Sequence, residues 1–135
     1  MKTIKVKDIK LSNNSPIIVI AGLNVLEDKS MAIDVARELK EITYNNSVPF
    51  IFKASFDKAN RSSIESYRGP GIKNSIQIFE AIKKELDIPI ITDIHEQGQI
   101  KEISEVVDIL QIPAFLCRQT AVSYTHLRAH ETIPD

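Results

Sequence analysis

The chain has 135 residues, of which 43% are hydrophobic and 26% charged, and its formal net charge is −1. This composition is that of one soluble globular domain, and the near-neutral net charge gives no reason to expect the overall basic surface of a nucleic-acid-binding protein. No apolar run approaches the roughly 20 residues of a membrane span, and the amino terminus lacks the apolar segment of a secretory signal. The single cysteine, Cys117, has no disulfide partner in the chain. We therefore expect a soluble, cytoplasmic protein.

The predicted elements begin with a short β-hairpin over residues 1–14, where apolar residues alternate with polar ones on both sides of Lys7 and Asp8. Apolar runs then predict four strands, at residues 17–21, 49–52, 89–92 and 107–112. Helical spacing of apolar residues predicts a helix after each of the first three strands. The apolar positions of these helices are Met31, Val35, Leu39 and Ile42; Ile76, Phe79, Ile82 and Leu86; and Ile100, Ile103 and Val107.

The alternation of apolar strands and helices predicts a parallel sheet that is covered on both faces. Either Asp28 or Ser30 is expected to cap the first helix, and Asn74, with Gln77 three residues on, to cap the second. A doubly wound open sheet and a (β/α)8 barrel both have this pattern. A lone glycine, Gly22, follows the first strand, so there is no dinucleotide-binding fingerprint.

Polar residues at the end of every predicted strand favour the barrel, which builds one site from several strand ends. A complete barrel needs about 250 residues, so four strands predict only its first half. The polar strand-end residues are Asn24, Lys53, Ser55, Asp93, His95 and Gln111.

A basic segment follows the second predicted strand, between Lys53 and Arg68, with four cationic and two anionic side chains. Lysine, arginine, serine and asparagine side chains at a strand end suit an anionic ligand, phosphate or carboxylate. The alternative interpretation is a solvated basic loop. The cations are Lys53, Lys58, Arg61 and Arg68, and the anions are Asp57 and Glu65.

The order of these residues resembles the signature of the 3-deoxy-D-manno-octulosonate 8-phosphate synthase family, also called 2-dehydro-3-deoxyphosphooctonate aldolases. The similar segments are AGLNVLE, KASFDKANRSS with YRGPG, ITDIHE and QIPAFLCRQT. The resemblance implies the amino-terminal half of a (β/α)8 barrel. It divides the chain into a hairpin (1–14), a truncated barrel domain (15–120) and a tail that does not resemble the family (121–135).

The resemblance also implies a transferase that condenses phosphoenolpyruvate with D-arabinose 5-phosphate and water, in lipopolysaccharide biosynthesis. Both substrates are anions, so cations must position them and offset their charge. By resemblance, Lys53, Ser55, Lys58 and Gln111 bind phosphoenolpyruvate. A lysine near a transferring oxygen also suits a proton donor, a catalytic role that we assign to Lys58. The alternative for Lys53 is an ordinary surface lysine.

By resemblance, the sugar phosphate binds Asn60, Arg61 and Ser62. Arginine offers phosphate a planar fork, and the other two add neutral donors. By resemblance, Asp93 binds the sugar hydroxyls near the reacting aldehyde and serves catalysis. The alternative for Asp93 is the amino-terminal cap of the third helix. His95 is expected to be a hydrogen-bonding side chain near the site.

Asn24 bears on the cofactor. The resembled family has metal-dependent members with cysteine at this position and metal-independent members with asparagine, and an amide is a poor substitute for a thiolate ligand. The resemblance therefore implies a catalytic Asn24 and no metal. Cys117 is expected to be a buried or structural thiol. Phe115 and Arg118 match positions that reach a neighbouring subunit's site, which implies a homo-oligomer, a tetramer in the full-length family.

The last fifteen residues resemble a translated adaptor sequence, and we expect them to be artefactual. His126, His130 and Glu131 do not have the order of a zinc-protease motif. Because the family's later site residues would follow Thr120, we expect this chain alone to be inactive and, with two open strand edges, poorly stable. Two alternatives are kept: the related heptulosonate 7-phosphate synthase of aromatic biosynthesis, and a non-catalytic phosphate-binding fragment.

Overall fold

The computed structural model describes residues 2–58, 63–114 and 116–117. The described chain begins with an antiparallel hairpin of β1 (Ile4–Val6) and β2 (Ile9–Leu11). The predicted hairpin is therefore confirmed. At its turn, the Lys7 ammonium donates to the carboxylate of Asp87 at 2.7 Å and so ties the hairpin to the rest of the fold.

A second sheet contains four parallel strands, which lie side by side in the order in which they occur in the chain. These strands are β3 (Val19–Leu23), β4 (Phe50–Ala54), β5 (Ile90–Asp93) and β6 (Ile109–Gln111). Helices α1 (Lys29–Asn45) and α2 (Ile72–Leu86) connect the first three, and a 3₁₀ turn (Gln97–Gln99) leads into the short α3 (Ile100–Ser104) before the fourth.

This strand order decides between the two architectures. A doubly wound sheet reverses its strand order at a switch point, whereas a barrel adds each strand to the same side of the previous one. The described sheet does the latter throughout. The described residues form a partial (β/α)8 barrel with four of the eight parallel strands, as predicted.

The core lies between the sheet and its helices. Phe50, Phe52 and Ala54 of β4 pack with the buried residues of α1 and α2, and these two helices also contact each other. The opposite face of β4 is also covered, as predicted, since Ile51 is fully buried there. The same face leaves Ile20 of β3 47% exposed, and in a closed barrel this face lines the interior.

Of the predicted caps of the first two helices, one is confirmed and one is wrong. Asp28 caps α1 as predicted, since its carboxylate accepts the Met31 amide hydrogen at 2.7 Å. The predicted Asn74 cap is wrong: α2 begins at Ile72 after Gly71, and Asn74 donates its side-chain amide to the Pro70 carbonyl from inside the helix. Within the described ranges, no helix is long and apolar enough to cross a membrane.

Candidate functional site

The sheet register brings four of the predicted site residues to one face. Lys53 lies opposite Gly22 on one side and Ile91 on the other, and Asp93 lies opposite Gln111. Alternation along β5 puts Asp93 on the same face as Ile91, and therefore on the face of Lys53. The same alternation, continued one residue past β4, adds Ser55. All four side chains lie at the carboxyl ends of the strands, away from the helices.

The first connecting loop joins this group through the backbone. Asn24 follows β3 directly and is exposed. Two residues later, the Leu26 amide donates to the Ser55 carbonyl at 2.8 Å, which holds the loop against the end of β4. The Ser55 side chain is buried, and its hydroxyl donates to the Asp57 carbonyl at 3.0 Å. The strand-end residues of β3 and β4 are thus fixed relative to each other.

Two lysines supply the positive charge of the site. Lys53 is exposed and Lys58 is half-buried, and neither forms an ion pair with another of the described residues. An ammonium group without a carboxylate partner attracts an anionic ligand more strongly, because no neighbouring anion offsets its charge. Arg68, by contrast, directs its guanidinium at Asp57, with nitrogen–oxygen distances of 2.6 Å and 3.1 Å. Arg68 and Asp57 therefore neutralise each other, and Arg68 adds no net charge to the site.

Asp93 and His95 form the buried polar part of the site. The Asp93 Oδ2 and His95 Nε2 atoms are 3.5 Å apart, and the His95 ring meets the Phe56 ring edge to face at 5.2 Å between centroids. Asp93 Oδ1 and both His95 ring nitrogens are buried and lack a hydrogen-bond partner among the described residues. Buried polar atoms are normally paired. Asp93 Oδ1 and His95 Nδ1 are therefore available to a ligand, while His95 Nε2 faces Asp93 Oδ2.

The ionisation of Asp93 is set by opposing effects. Burial, the largest single effect, raises the pKa of the Asp93 carboxyl, whereas the neighbouring His95 imidazole and Ser55 hydroxyl lower it. The lowering effects win, and the pKa of Asp93 lies below its ordinary value. Asp93 is consequently an anion at neutral pH and an acceptor for hydroxyl groups.

The alternative role of Asp93 as a helix cap is wrong. The turn after β5 is capped by Glu96, which exchanges hydrogen bonds with Gln99 in a capping box. The Gln99 side-chain oxygen also accepts the backbone amide of His95 at 3.0 Å. The prediction of a buried Cys117 is wrong as well, because this thiol is exposed beyond the end of β6.

Five predicted site residues lie outside the described residues: Asn60, Arg61, Ser62, Phe115 and Arg118. His126, His130 and Glu131 lie outside them too. No group of three or more histidine, cysteine, aspartate or glutamate side chains in the described ranges has the arrangement of a metal site.

Sequence reasoning missed two contributors to this region. The Asp57–Arg68 pair joins residues that are eleven positions apart, and the Tyr67 hydroxyl donates to the Leu26 carbonyl at 3.1 Å. Burial, and then the nearby Glu27 and Asp28 carboxylates, raise the pKa of Tyr67, so its phenol keeps the proton that it donates. The only sequence signal for the Asp57–Arg68 pair was the presence of opposite charges at the two ends of one basic loop.

The sequence profile of the DAHP synthetase I family matches residues 2–130. The 2-dehydro-3-deoxyphosphooctonate aldolase of Pseudoalteromonas translucida is 55% identical over 117 residues, which are 87% of this chain and 41% of that protein. The proteins of the same name from Colwellia psychrerythraea and Shewanella amazonensis are each 50% identical over 120 residues, 89% of this chain and 43% of those proteins.

The chain therefore spans about two fifths of the length of these curated relatives. The family match runs past residue 120, where the resemblance was predicted to end. The division of the chain at that residue stays a prediction.

Proposed function

We propose that this chain, which belongs to the DAHP synthetase I family, is part of a transferase that condenses phosphoenolpyruvate with D-arabinose 5-phosphate and water. The products are 3-deoxy-D-manno-octulosonate 8-phosphate, a lipopolysaccharide precursor, and inorganic phosphate. The observation on which the proposal depends is the shared face of Lys53, Ser55, Asp93 and Gln111. The names of the curated relatives support this reaction over the heptulosonate alternative.

Phosphoenolpyruvate is assigned to the Lys53 side of the face. Its phosphate and carboxylate are both anionic, and Lys53 and Lys58 offer two ammonium groups that no described carboxylate neutralises. Gln111 contributes neutral donors from the end of β6, and Ser55 contributes a hydroxyl beside them. Such a mixed set positions the enol and offsets its charge.

The sugar is assigned to the Asp93 side of the face. The anionic Asp93 accepts hydrogen bonds from sugar hydroxyls and lies near the aldehyde. We further assign the sugar phosphate to Asn60, Arg61 and Ser62 on the resemblance described above. Phe115 and Arg118 are assigned to a neighbouring subunit's site in a homotetramer. Charged phosphate esters do not cross a bilayer unaided, so we place the reaction in the cytoplasm.

The proposed reaction forms one carbon–carbon bond and one carbon–oxygen bond to water, and it breaks the carbon–oxygen bond to phosphate. The methylene carbon of phosphoenolpyruvate attacks the aldehyde carbon, whose oxygen takes a proton from Lys58. Water adds to the second carbon of the former enol, and phosphate leaves from that carbon with its bridging oxygen. The water gives up two protons as the ketone forms: one restores the Lys58 ammonium and the other leaves with the phosphate. Asn24, an amide where metal-dependent members carry a thiolate, indicates that no metal takes part in these steps.

The test uses a full-length protein, in which this sequence continues to the length of the curated relatives. Phosphate release is measured with phosphoenolpyruvate and either arabinose 5-phosphate or erythrose 4-phosphate. We expect faster release with arabinose 5-phosphate and a loss of about 10²-fold or more in Lys53→Met. Lys84→Met, an exposed lysine of α2, is the control. Preference for erythrose 4-phosphate, or full activity in Lys53→Met, would refute the proposal.

The 135-residue chain is tested separately. Its described residues form four of the eight strands of a barrel, and we expect no turnover from the chain alone. A calorimetric titration with phosphoenolpyruvate then distinguishes a phosphate-binding fragment, which releases or absorbs heat, from an inert one. Turnover by this chain alone would refute the expectation.

A further inference from the structure

The loop that begins at Asp57 is closed by an ion pair with two parallel hydrogen bonds. Arg68 Nε lies 2.6 Å from Asp57 Oδ1, and Arg68 Nη2 lies 3.1 Å from Asp57 Oδ2. The Asp57 side chain is only 17% exposed, while the Arg68 side chain is 53% exposed. A two-point contact of this kind fixes distance and orientation together, which a lysine ammonium cannot do.

The backbone beside this pair is also bonded. The Lys58 amide donates to the Arg68 carbonyl at 2.7 Å, and the Asp57 carbonyl accepts the Ser55 hydroxyl at 3.0 Å. Asp57, the residue before Lys58, is thus fixed by hydrogen bonds to its carboxylate and its carbonyl. Lys58 is fixed by the hydrogen bond of its own amide. Few rotations are left to the backbone that carries the Lys58 ammonium.

The residues on either side of Arg68, Tyr67 and Gly69, are also closely packed. Gly69 has a φ of +141°, and a β-carbon there would lie 2.2 Å from the Phe56 carbonyl oxygen. The Tyr67 hydroxyl donates to the Leu26 carbonyl at 3.1 Å, in the loop that begins with Asn24. The segment around Arg68 therefore packs against both strand ends that carry predicted site residues.

From these contacts, and on the premise of the proposed function, we propose that Asp57 and Arg68 form a brace that positions Lys58 for phosphoenolpyruvate. Arg68 is a positioning residue in this arrangement, not a phosphate ligand. The Nε and Nη2 atoms that face Asp57 are already used, and a phosphate that took this edge of the guanidinium would have to displace a carboxylate that is four-fifths buried. The ammonium of Lys58, which no described carboxylate pairs, is the group that meets the substrate.

The test is a double-mutant cycle in the full-length protein with Asp57→Ala, Arg68→Ala and the double variant. Because a displaced positioning group costs up to about 10²-fold, we expect each single variant to lower kcat/KM for phosphoenolpyruvate by about 10- to 100-fold. The double variant should be no worse than the poorer single one, since both remove the same brace. Arg68→Lys should not restore the rate, because it keeps the charge and loses the fork.

A second readout does not depend on the reaction. Hydrogen exchange of the Lys58 amide should speed up about tenfold or more in both single variants, because its acceptor moves with Arg68. Arg37→Ala is the matched control: Arg37 also contacts two carboxylate groups, at 3.0 Å and 2.9 Å, and its side chain is 52% exposed, but it lies on α1. It should change neither readout.

The measurements distinguish a failure of the brace from a failure of the proposed function. Additive losses, or an Asp57→Ala variant with unchanged kcat/KM for phosphoenolpyruvate, would mean that Arg68 acts independently of Asp57 and would overturn the brace. Unchanged Lys58 exchange in Arg68→Ala would overturn it as well. If the unmodified full-length protein releases no phosphate with either sugar, the proposed function fails, while the exchange measurement still decides whether Lys58 is braced.

Discussion

A β-carbon on Gly22 would lie 1.8 Å from the carbonyl oxygen of Lys53 on the neighbouring strand. The two residues are partners in the β3–β4 register. The obstructing atom belongs to the backbone, so no side-chain rotation can relieve the contact. The missing side chain of Gly22 therefore sets how closely β3 approaches the strand that presents Lys53.

Gly22→Ala is expected to force these two strands apart. We expect the free energy of unfolding to fall by about 2 kcal/mol or more, as in other overpacked sites. Because Lys53 moves with its carbonyl, phosphoenolpyruvate binding should weaken in the same variant. Denaturant unfolding and a calorimetric titration measure the two effects.

Gly98→Ala is the control for this experiment. Gly98 is exposed in the 3₁₀ turn, and a β-carbon there would meet nothing within 4 Å. The free energy of unfolding of this variant should stay within about 0.5 kcal/mol of the unmodified protein. Equal losses in both variants would show that the approach of β3 to Lys53 is not tight.

The sequence predicted most of the fold, because periodicity is a local signal. The hairpin, the four strands and the helices lie where alternation or helical spacing indicated them, with boundaries shifted by a few residues. The third helix is shorter than predicted, because α3 ends at Ser104 and Val107 lies outside it. The strand-end residues Lys53, Asp93 and Gln111 could be placed together because parallel strands all end at the same edge of a sheet.

What the sequence missed depends on packing between distant segments. Helix α1 was expected to bury Met31 and Ile42, but both are exposed, and the closely packed positions are instead Ala32, Ile33 and Ala36. Small residues allow α1 to approach the sheet closely. The spacing of hydrophobic residues does not take side-chain size into account. The Asp57–Arg68 contact likewise has no period, because it joins the two ends of a loop.

The Tyr67 hydroxyl links the loop after β4 to the loop after β3, where it donates to the Leu26 carbonyl at 3.1 Å. Tyr67→Phe removes this single hydrogen bond and keeps the ring. We expect a loss of about 1 kcal/mol in the free energy of unfolding. The control is Tyr44→Phe, since Tyr44 is 81% exposed and its hydroxyl bonds to none of the described residues. A larger loss in Tyr44→Phe would contradict the assignment of this link.

Removal of divalent metal tests the proposed role of Asn24. The full-length protein is incubated with a chelator, which is then removed, and phosphate release is measured with phosphoenolpyruvate and arabinose 5-phosphate. We expect an unchanged rate, because a side-chain amide is a poor ligand for a transition metal. A loss of activity that is restored by a divalent transition metal would overturn the metal-independent assignment.

Acid titration tests the environment of Asp93. Burial raises the pKa of Asp93, but His95 and Ser55 outweigh it and leave the pKa below the ordinary value. The folded state therefore binds this proton less readily than the unfolded chain, in which the pKa is about 3.9. The resulting stabilisation is fully present above that pH and is lost as the pH falls through the lower pKa of the folded state.

Asp93→Asn removes this contribution and retains the shape of the side chain. The free energy of unfolding is measured for both proteins from pH 7 down to the lowest pH at which they fold. We expect the stability advantage of the unmodified protein to be constant at neutral pH and to shrink below about pH 4. Lys7 also lowers the pKa of Asp87, but both proteins contain that pair, so its effect cancels in the difference. An advantage that grows as the pH falls would mean that burial, not His95 and Ser55, controls Asp93.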